Sequence, residues 1–267
     1  MKRLCPTHLS LFTGIGGLDL AAEWAGFRTV GQCEWAEYPT RVLEKHWPDV
    51  PRWRDIRTLT KEDFYARTGL RTIDVVSGGF PCQPFSVAGK RRGKEDDRYL
   101  WPEMLRIISE LRPDWIVGEN VAGIVNMALD TVLSDLEDEG YSVQAFVIPA
   151  CAVDAPHRRD RCAIVGKRAV LSDSDNRRGI VRRVRELSAV EKTEGERRYH
   201  GGRAQKHVAG EWWQAEPDVD RVANGIPNRV DRLKYLGNAV VPQQFYPVFD
   251  AIRKRMEEEN EGIQGIQ

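Results

Sequence analysis

The chain has 267 residues, 41% of them hydrophobic and 30% charged, and its 40 Lys and Arg balance 40 Asp and Glu. That length suffices for one large domain with a real core plus a smaller lobe, and no apolar run approaches the roughly 18 residues of a membrane span. The apolar stretch in "MKRLCPTHLSLF" is short and broken by Pro6 and His8, so it does not read as a signal peptide. The cysteines, Cys5, Cys33, Cys82, Cys151 and Cys162, are scattered without CxxC spacing, which indicates neither a disulfide framework nor a metal site and fits a reducing cytoplasm.

In chain order, "HLSLF" predicts a strand, "TGIGG" a tight loop and "LDLAAEWAG" a helix stopped by Gly26. "FRTVGQCEW" predicts a second strand, with a helix in the region after Pro39. "TIDVVSGG" reads as a strand, followed after a long loop by the helix "DRYLWPEMLRIISEL". "DWIVGEN" is a further strand; Leu129, Val132, Leu133 and Leu136 then recur at helical spacing up to Gly140. "YSVQAFVI" and "RCAIVG" are two more strands. Repeated strand–helix alternation predicts a doubly wound α/β sheet. The pattern fails from residue 167 to about 215, where few apolar residues occur and no period holds. Between Lys167 and Gly210 stand 12 Lys and Arg against 6 Asp and Glu, the local basicity that phosphate contacts require, although a solvated surface segment has the same look. A last segment, to Met256, ends in a predicted helix.

Four constellations carry chemistry. Gly14, Gly16 and Gly17 make a glycine-rich turn between the first strand and a helix, where backbone N–H groups can approach a ligand closely. Glu34 ends the second strand twenty residues after Gly14, placed to accept both hydroxyls of a ribose. The spacing G-x-G-G rather than G-x-G-x-x-G favours a nucleoside cofactor over a pyrophosphate-bearing dinucleotide. Cys82 stands between Pro81 and Pro84, after Gly78 and Gly79, in a polar loop unsuited to burying a small apolar group. Cys33 and Cys162, in strand patterns, suit burial. Glu119 closes the strand "DWIVGEN" at the sheet edge where ligands bind; it reads equally as a partly desolvated proton donor or as a cap of the next helix. Arg159 and Arg161 alternate at a strand start, facing one side, where they hold a base carbonyl or a phosphate or else form an exposed basic strand end.

Taken together, these residues resemble the DNA (cytosine-5)-methyltransferase family of the bacterial and phage restriction-modification type. "FTGIGG" is similar to its first S-adenosyl-L-methionine (AdoMet) motif, "EW" at Glu34 and Trp35 to the second, and "RDI" at Arg54–Ile56 to the family's "GDI". "GGFPCQPFS" resembles the catalytic Pro-Cys loop, "ENV" the acid motif, "RRDR" the paired-arginine motif and "YLGNAVVP" the late motif beside AdoMet. His157 stands where the family usually has Gln.

The resemblance implies a Rossmann-like AdoMet-dependent catalytic domain over residues 1–166, a short variable target-recognition lobe over 167–232, and a segment, 233–267, that returns to the catalytic domain. It implies that Cys82 attacks C6 of a flipped-out cytosine, that Glu119 holds or protonates N3, that Arg161 binds O2, and that Arg159 positions Cys82 and the base. Phe12, Glu34, Trp35, Asp55, Ile56 and Asn238 would surround AdoMet. The implied partners are double-stranded DNA and a cognate restriction endonuclease, for a monomer in the bacterial cytoplasm without membrane attachment. A tRNA cytosine-5 methyltransferase and a catalytically weak DNA-binding relative remain open alternatives. A nicotinamide-dependent oxidoreductase is disfavoured by the glycine spacing.

Overall fold

A computed structural model describes residues 5–81, 99–169 and 229–264, and all of these but Ala169 belong to one compact unit. Seven strands form one sheet: β1 (Thr7–Leu11), β2 (Arg28–Cys33), β3 (Arg52–Trp53), β4 (Val75–Gly78), β5 (Trp115–Val121), β6 (Tyr141–Ile148) and β7 (Arg161–Arg168). Their order is β3-β2-β1-β4-β5-β7-β6; β1 to β5 run parallel, and β7 pairs antiparallel with both β5 and β6. The helices are α1 (Gly17–Trp24), α2 (Glu37–His46), α3 (Lys61–Thr68), α4 (Trp101–Leu111), α5 (Leu129–Asp138), α6 (Arg229–Asn238) and α7 (Pro242–Gln264).

Alternation along the strands builds a core on each face of the sheet. Leu9, Leu11, Val76, Ile116, Cys162 and Ile164 point to one face, against Met104, Ile107 and Ile108 of α4 and Val132 and Leu136 of α5. Val75, Val117 and Ala163 point to the other, against Leu18, Ala21 and Ala22 of α1 and Phe245, Phe249 and Ile252 of α7. α7 therefore serves as a sheet-covering helix although it comes from the far end of the chain. No helix among the described residues is long and apolar enough to cross a membrane.

Three elements were not read from the sequence. β3 has two residues, too few for a period. α3 buries only Phe64, so its apolar stripe is faint; its signal is the cap, where Thr60 Oγ1 accepts the N–H of Asp63. α6 lies in the last segment, which the sequence reading left unassigned ahead of its terminal helix. β7 runs two residues past the expected domain boundary at 166. The expected lobe at 167–232, with its basic stretch, lies almost wholly outside the described residues.

β1 is fully buried yet carries His8 and Ser10. His8 bonds Ser77 (2.7 Å) and Thr29 (3.3 Å) on the flanking strands, and burial pushes its imidazole down to about 3, so it stays neutral. Ser10 Oγ donates to Asp19 Oδ2 (2.9 Å), and Gln32 Nε2 donates to Asp19 Oδ1 (2.8 Å). Even so, burial pushes the Asp19 carboxyl up to about 6 from an ordinary 3.8. The folded state thus keeps a proton that the unfolded chain releases. The associated stability is present below about pH 4 and lost as pH rises through about 6. Relative to Asp19→Asn, the wild type is expected to lose on the order of 3 kcal/mol across that window. Urea unfolding at a series of pH values checks this; parallel curves for the two proteins would show that Asp19 titrates normally.

Candidate active site

In a sheet of this order the chain leaves β1 outward to β2 and β3, then returns to β4 on the other side of β1. The crevice beyond the carboxyl ends of β1 and β4 is where such sheets bind ligands. A pocket lies there, lined by Phe12, Thr13, Gly14, Ile15, Gly17 and Leu18 after β1, Gly79 after β4, Glu119 on β5, and Tyr235, Asn238, Ala239 and Val240 at the end of α6 and just beyond it.

The loop after β1 is shaped by backbone constraints. Thr13 anchors it, its N–H donating to the Cys33 carbonyl and its Oγ1 to those of Ser10 and Cys33. Phe12 adopts φ 52, a conformation costly for a residue with a Cβ, directly at the pocket wall. Gly17 is required by close approach: a Cβ there would stand 2.5 Å from the Val240 carbonyl oxygen. Gly16, at φ 92, lies against the Trp47 ring. The glycine pair is thus where helix α2 and the returning C-terminal segment press on the loop.

Glu34 is tied to the same loop. Its Oε2 accepts the Gly14 N–H (2.8 Å) and its Oε1 accepts the Ala36 N–H (2.8 Å). Each carboxylate oxygen keeps a lone-pair direction for a ligand hydroxyl. Among the described residues, and apart from Gly14's chain neighbours, no atom comes within 4 Å of where a Gly14 Cβ would stand. Pocket and donors fit a nucleoside-bearing cofactor.

Of the cofactor residues of the sequence reading, Phe12, Gly14, Gly17 and Asn238 line this pocket; Glu34 meets it only through its bond to Gly14, and Gly16, Trp35, Asp55 and Ile56 do not line it. Trp35 is 70% exposed at the end of β2, its carbonyl accepting from Arg54. Asp55 caps the short turn after β3 by accepting the Arg57 N–H, and Ile56 is buried in the core against α4. A two-residue β3 leaves that turn packed beneath the sheet edge, so the "RDI" match marks a structural corner as much as a ligand contact.

On the other wall, the Glu119 carboxylate forms an ion pair with Arg161, Oε1 to Nε 2.9 Å, with both side chains largely buried. Strand register explains the pairing: Glu119 faces Ala163 and Val121 faces Arg161, so the two charged residues project from one face. Burial pushes the Glu119 carboxyl above the ordinary range, and the positive charges of Arg161 and Arg159 oppose that rise. Of the two readings of Glu119, cap or desolvated acid, the geometry fits the acid: its partner is a guanidinium, and the turn that follows has no side-chain cap. Gly79 packs against it, since a Cβ there would meet Glu119 Oε2 at 2.8 Å. Asn120 Nδ2 donates to the Phe80 carbonyl (2.9 Å), and the Phe80 ring rests on Trp101. The backbone through Pro81 is thereby fixed beside Glu119. Cys82 and Pro84 lie outside the described residues.

Arg159 is placed differently from the sequence reading. It precedes β7, at φ 35, rather than alternating within it. Its Nη2 donates to the carbonyls of Gly237 (2.7 Å) and Ala239 (2.6 Å). Cys33 and Cys162 are buried in the core, where burial pushes both thiols up, Cys33 to about 12. Cys5 and Cys151 are exposed. Gly79, Asn120 and Tyr235 stand inside the motifs "GGFPCQPFS", "ENV" and "YLGNAVVP" but were given no role of their own in the sequence reading; Tyr235 stacks on Tyr38 of α2 at 5.6 Å.

The model of the C-5 cytosine-specific DNA methylase family matches residues 7–215. The chain belongs to this family. Type II methyltransferase M.PspPI of Psychrobacter sp. is 38% identical over 172 residues, covering 62% of this chain and 40% of its own length. M.NgoFVII of Neisseria gonorrhoeae is 35% identical over 168 residues, covering 61% and 44%. The match spans less than half the length of these relatives. Among solved structures, a prophage-encoded E. coli protein described as a DNA modification methyltransferase superposes with TM-score 0.53 at 26% identity, covering 61% of this chain and 47% of that one. DNMT2 of Spodoptera frugiperda gives 0.53 at 24% identity over 65% and 53%, and shows the shared fold alone. The fold is that of AdoMet-dependent methyltransferases.

Glu34→Gln keeps the shape but turns one backbone-facing acceptor into a donor and removes the charge. Each charge-assisted bond lost is worth about 1.5–3 kcal/mol. AdoMet affinity is expected to fall at least about tenfold, as calorimetry would read. Unchanged affinity would remove Glu34 from the cofactor site.

Proposed function

We propose that the chain is a DNA (cytosine-5)-methyltransferase that uses AdoMet to methylate C5 of a cytosine turned out of duplex DNA. The observation that carries this reading is the shared pocket wall. Glu119, paired with Arg161, lines the same pocket as the glycine loop and Asn238, so an acid and a cofactor cradle meet in one place.

The chemistry follows from what each side chain can do. Cytosine is a poor nucleophile at carbon. Addition of the Cys82 thiolate to C6, with the thiol proton going to solvent, makes C5 electron-rich if the developing charge is met at N3. A buried carboxyl whose pKa is raised is suited to donate that proton. Arg161, held at 2.9 Å by Glu119, retains guanidinium N–H groups for the cytosine O2. When bound, AdoMet supplies an electrophilic methyl group carried on sulfonium. The C5 proton then passes to solvent, Cys82 departs as thiolate and the N3 proton returns to the Glu119 carboxylate, which restores the aromatic ring. Cys82 follows Pro81 directly, and the backbone up to Pro81 is anchored beside Glu119 by Asn120. Extruding the base costs a few kcal/mol, which a closed, polar pocket must offset.

For the cofactor, Gly14, Glu34 and Asn238 are the residues that would hold AdoMet, with Phe12 and Tyr235 as its apolar walls. Trp35, Asp55, Ile56 and Gly16 would act at its margins or by shaping the loop. The chain would divide into a catalytic domain over 1–166 completed by 233–267, and a recognition lobe over 167–232. The Type II names of the relatives support duplex DNA as substrate and a cognate restriction endonuclease as partner, in a bacterial cytoplasm.

Duplex DNA carrying 5-fluorocytosine at the target tests the covalent step. Fluorine cannot leave C5 as a proton does, so an AdoMet-dependent adduct is expected that survives denaturing electrophoresis. Cys82→Ser should abolish it. Glu119→Gln, which can hydrogen-bond N3 but not protonate it, should slow its formation by about a hundredfold or more. An adduct that forms in Cys82→Ser would overturn the mechanism.

A further inference from the structure

The C-terminal segment reaches the pocket without forming part of the sheet, and two fastenings hold it there. At the α2 side the Tyr235 ring lies on Tyr38, centroids 5.6 Å apart and 9° from parallel. At the β7 side a single Arg159 nitrogen accounts for two hydrogen bonds, to the carbonyls of Gly237 and Ala239. Those carbonyls flank Asn238, which lines the pocket.

Arg159 is itself held with care. Its carbonyl accepts from the fully buried Gln244 at the start of α7, and the same amide nitrogen donates to the Ile148 carbonyl. Its backbone is in the left-handed region, and its buried Nε has no hydrogen-bond partner among the described residues. Both features cost stability. A packing role alone would be filled more cheaply by an apolar side chain or a lysine, so the double bond to the C-terminal segment is what the arrangement serves. Two residues on, Arg161 holds Glu119.

From this the geometry points to Arg159 as a positioning residue for the cofactor rather than for the nucleophile. It fixes the end of α6 and the residue after it through the Gly237 and Ala239 carbonyls, sets Asn238 against AdoMet, and through the short Arg159–Arg161 segment couples cofactor occupancy to the order of the Arg161–Glu119 pair that receives the base. This rests on the AdoMet reading above. The coupling is reciprocal: whatever orders the 237–239 segment orders the start of β7, and the reverse.

Calorimetry with AdoMet and protein, without DNA, tests it. Arg159→Gln is expected to weaken AdoMet binding at least about tenfold, within the range of ordinary coupling energies. Arg161→Gln should weaken it less than Arg159→Gln does, because it reaches the 237–239 segment only through that coupling, and Arg159→Lys, which keeps the charge and can still donate, should recover part of the loss. Adding Asn238→Ala to Arg159→Gln should cost little more than either change alone, because both act on one contact. Thermal melting of each variant without AdoMet confirms that it is folded, and Arg159→Lys carries the comparison where Arg159→Gln is not. If the wild type binds AdoMet and Arg159→Gln binds it equally well, or if the two changes add fully, the inference is wrong while the cofactor reading stands. If the wild type binds no AdoMet, both fall.

Discussion

A carbonyl oxygen resting where a side chain would have to begin is the constraint on which this site depends. The Val240 carbonyl lies 2.5 Å from the position a Gly17 Cβ would take. No other residue at 17 allows the chain's late segment to close on its first loop without displacement. That contact joins residues more than two hundred positions apart, so it carries the entropic cost of closing a long loop, which the packing of α7 beside α1 helps to offset. The second core, of Leu18, Ala21 and Ala22 with Phe245, Phe249 and Ile252, holds the approach in place.

From that closure the electrostatics follow. With the C-terminal segment seated, Arg159 is directed to backbone carbonyls and Arg161 to Glu119, so two neighbouring guanidiniums have separate tasks. Glu119 is left buried between a cation that favours its ionised form and a surrounding that disfavours it, and burial wins. Asp19, in the first turn of α1, shows the same physics: burial outweighs the hydrogen bonds from Gln32, Ser10 and backbone and leaves its carboxyl at about 6.

The sequence was most legible where local chemistry decides structure. Strands β1, β2, β4, β5, β6 and β7 and helices α1, α4 and α5 follow from apolar spacing and bounding glycines, and Phe12, Gly14, Gly17, Glu119 and Asn238 do meet at one pocket. Legibility ended where partners come from far away. Gly16 and Gly17 read as a tight turn that lets backbone approach a ligand, but at these two positions the close neighbours are Trp47 and Val240. Arg159 and Arg161 read as a matched pair on a strand, yet a positive φ at Arg159 turns it toward another segment. Glu34 read as a ribose ligand alone, whereas its carboxylate also pins the loop and the start of α2. Nor can an apolar run reveal that β7 inserts antiparallel between β5 and β6.

On the proposed reading these contacts would bring an activated base and a methyl donor together, and the transfer itself is the most direct measurement. Duplex DNA and tRNA are each incubated with the protein and AdoMet bearing a labelled methyl group, and the modified bases are then mapped. The expected result is label at C5 of cytosine, at a defined duplex sequence, lost in Cys82→Ser. Label confined to tRNA, label on an exocyclic nitrogen, or DNA methylation that persists without Cys82 would contradict it.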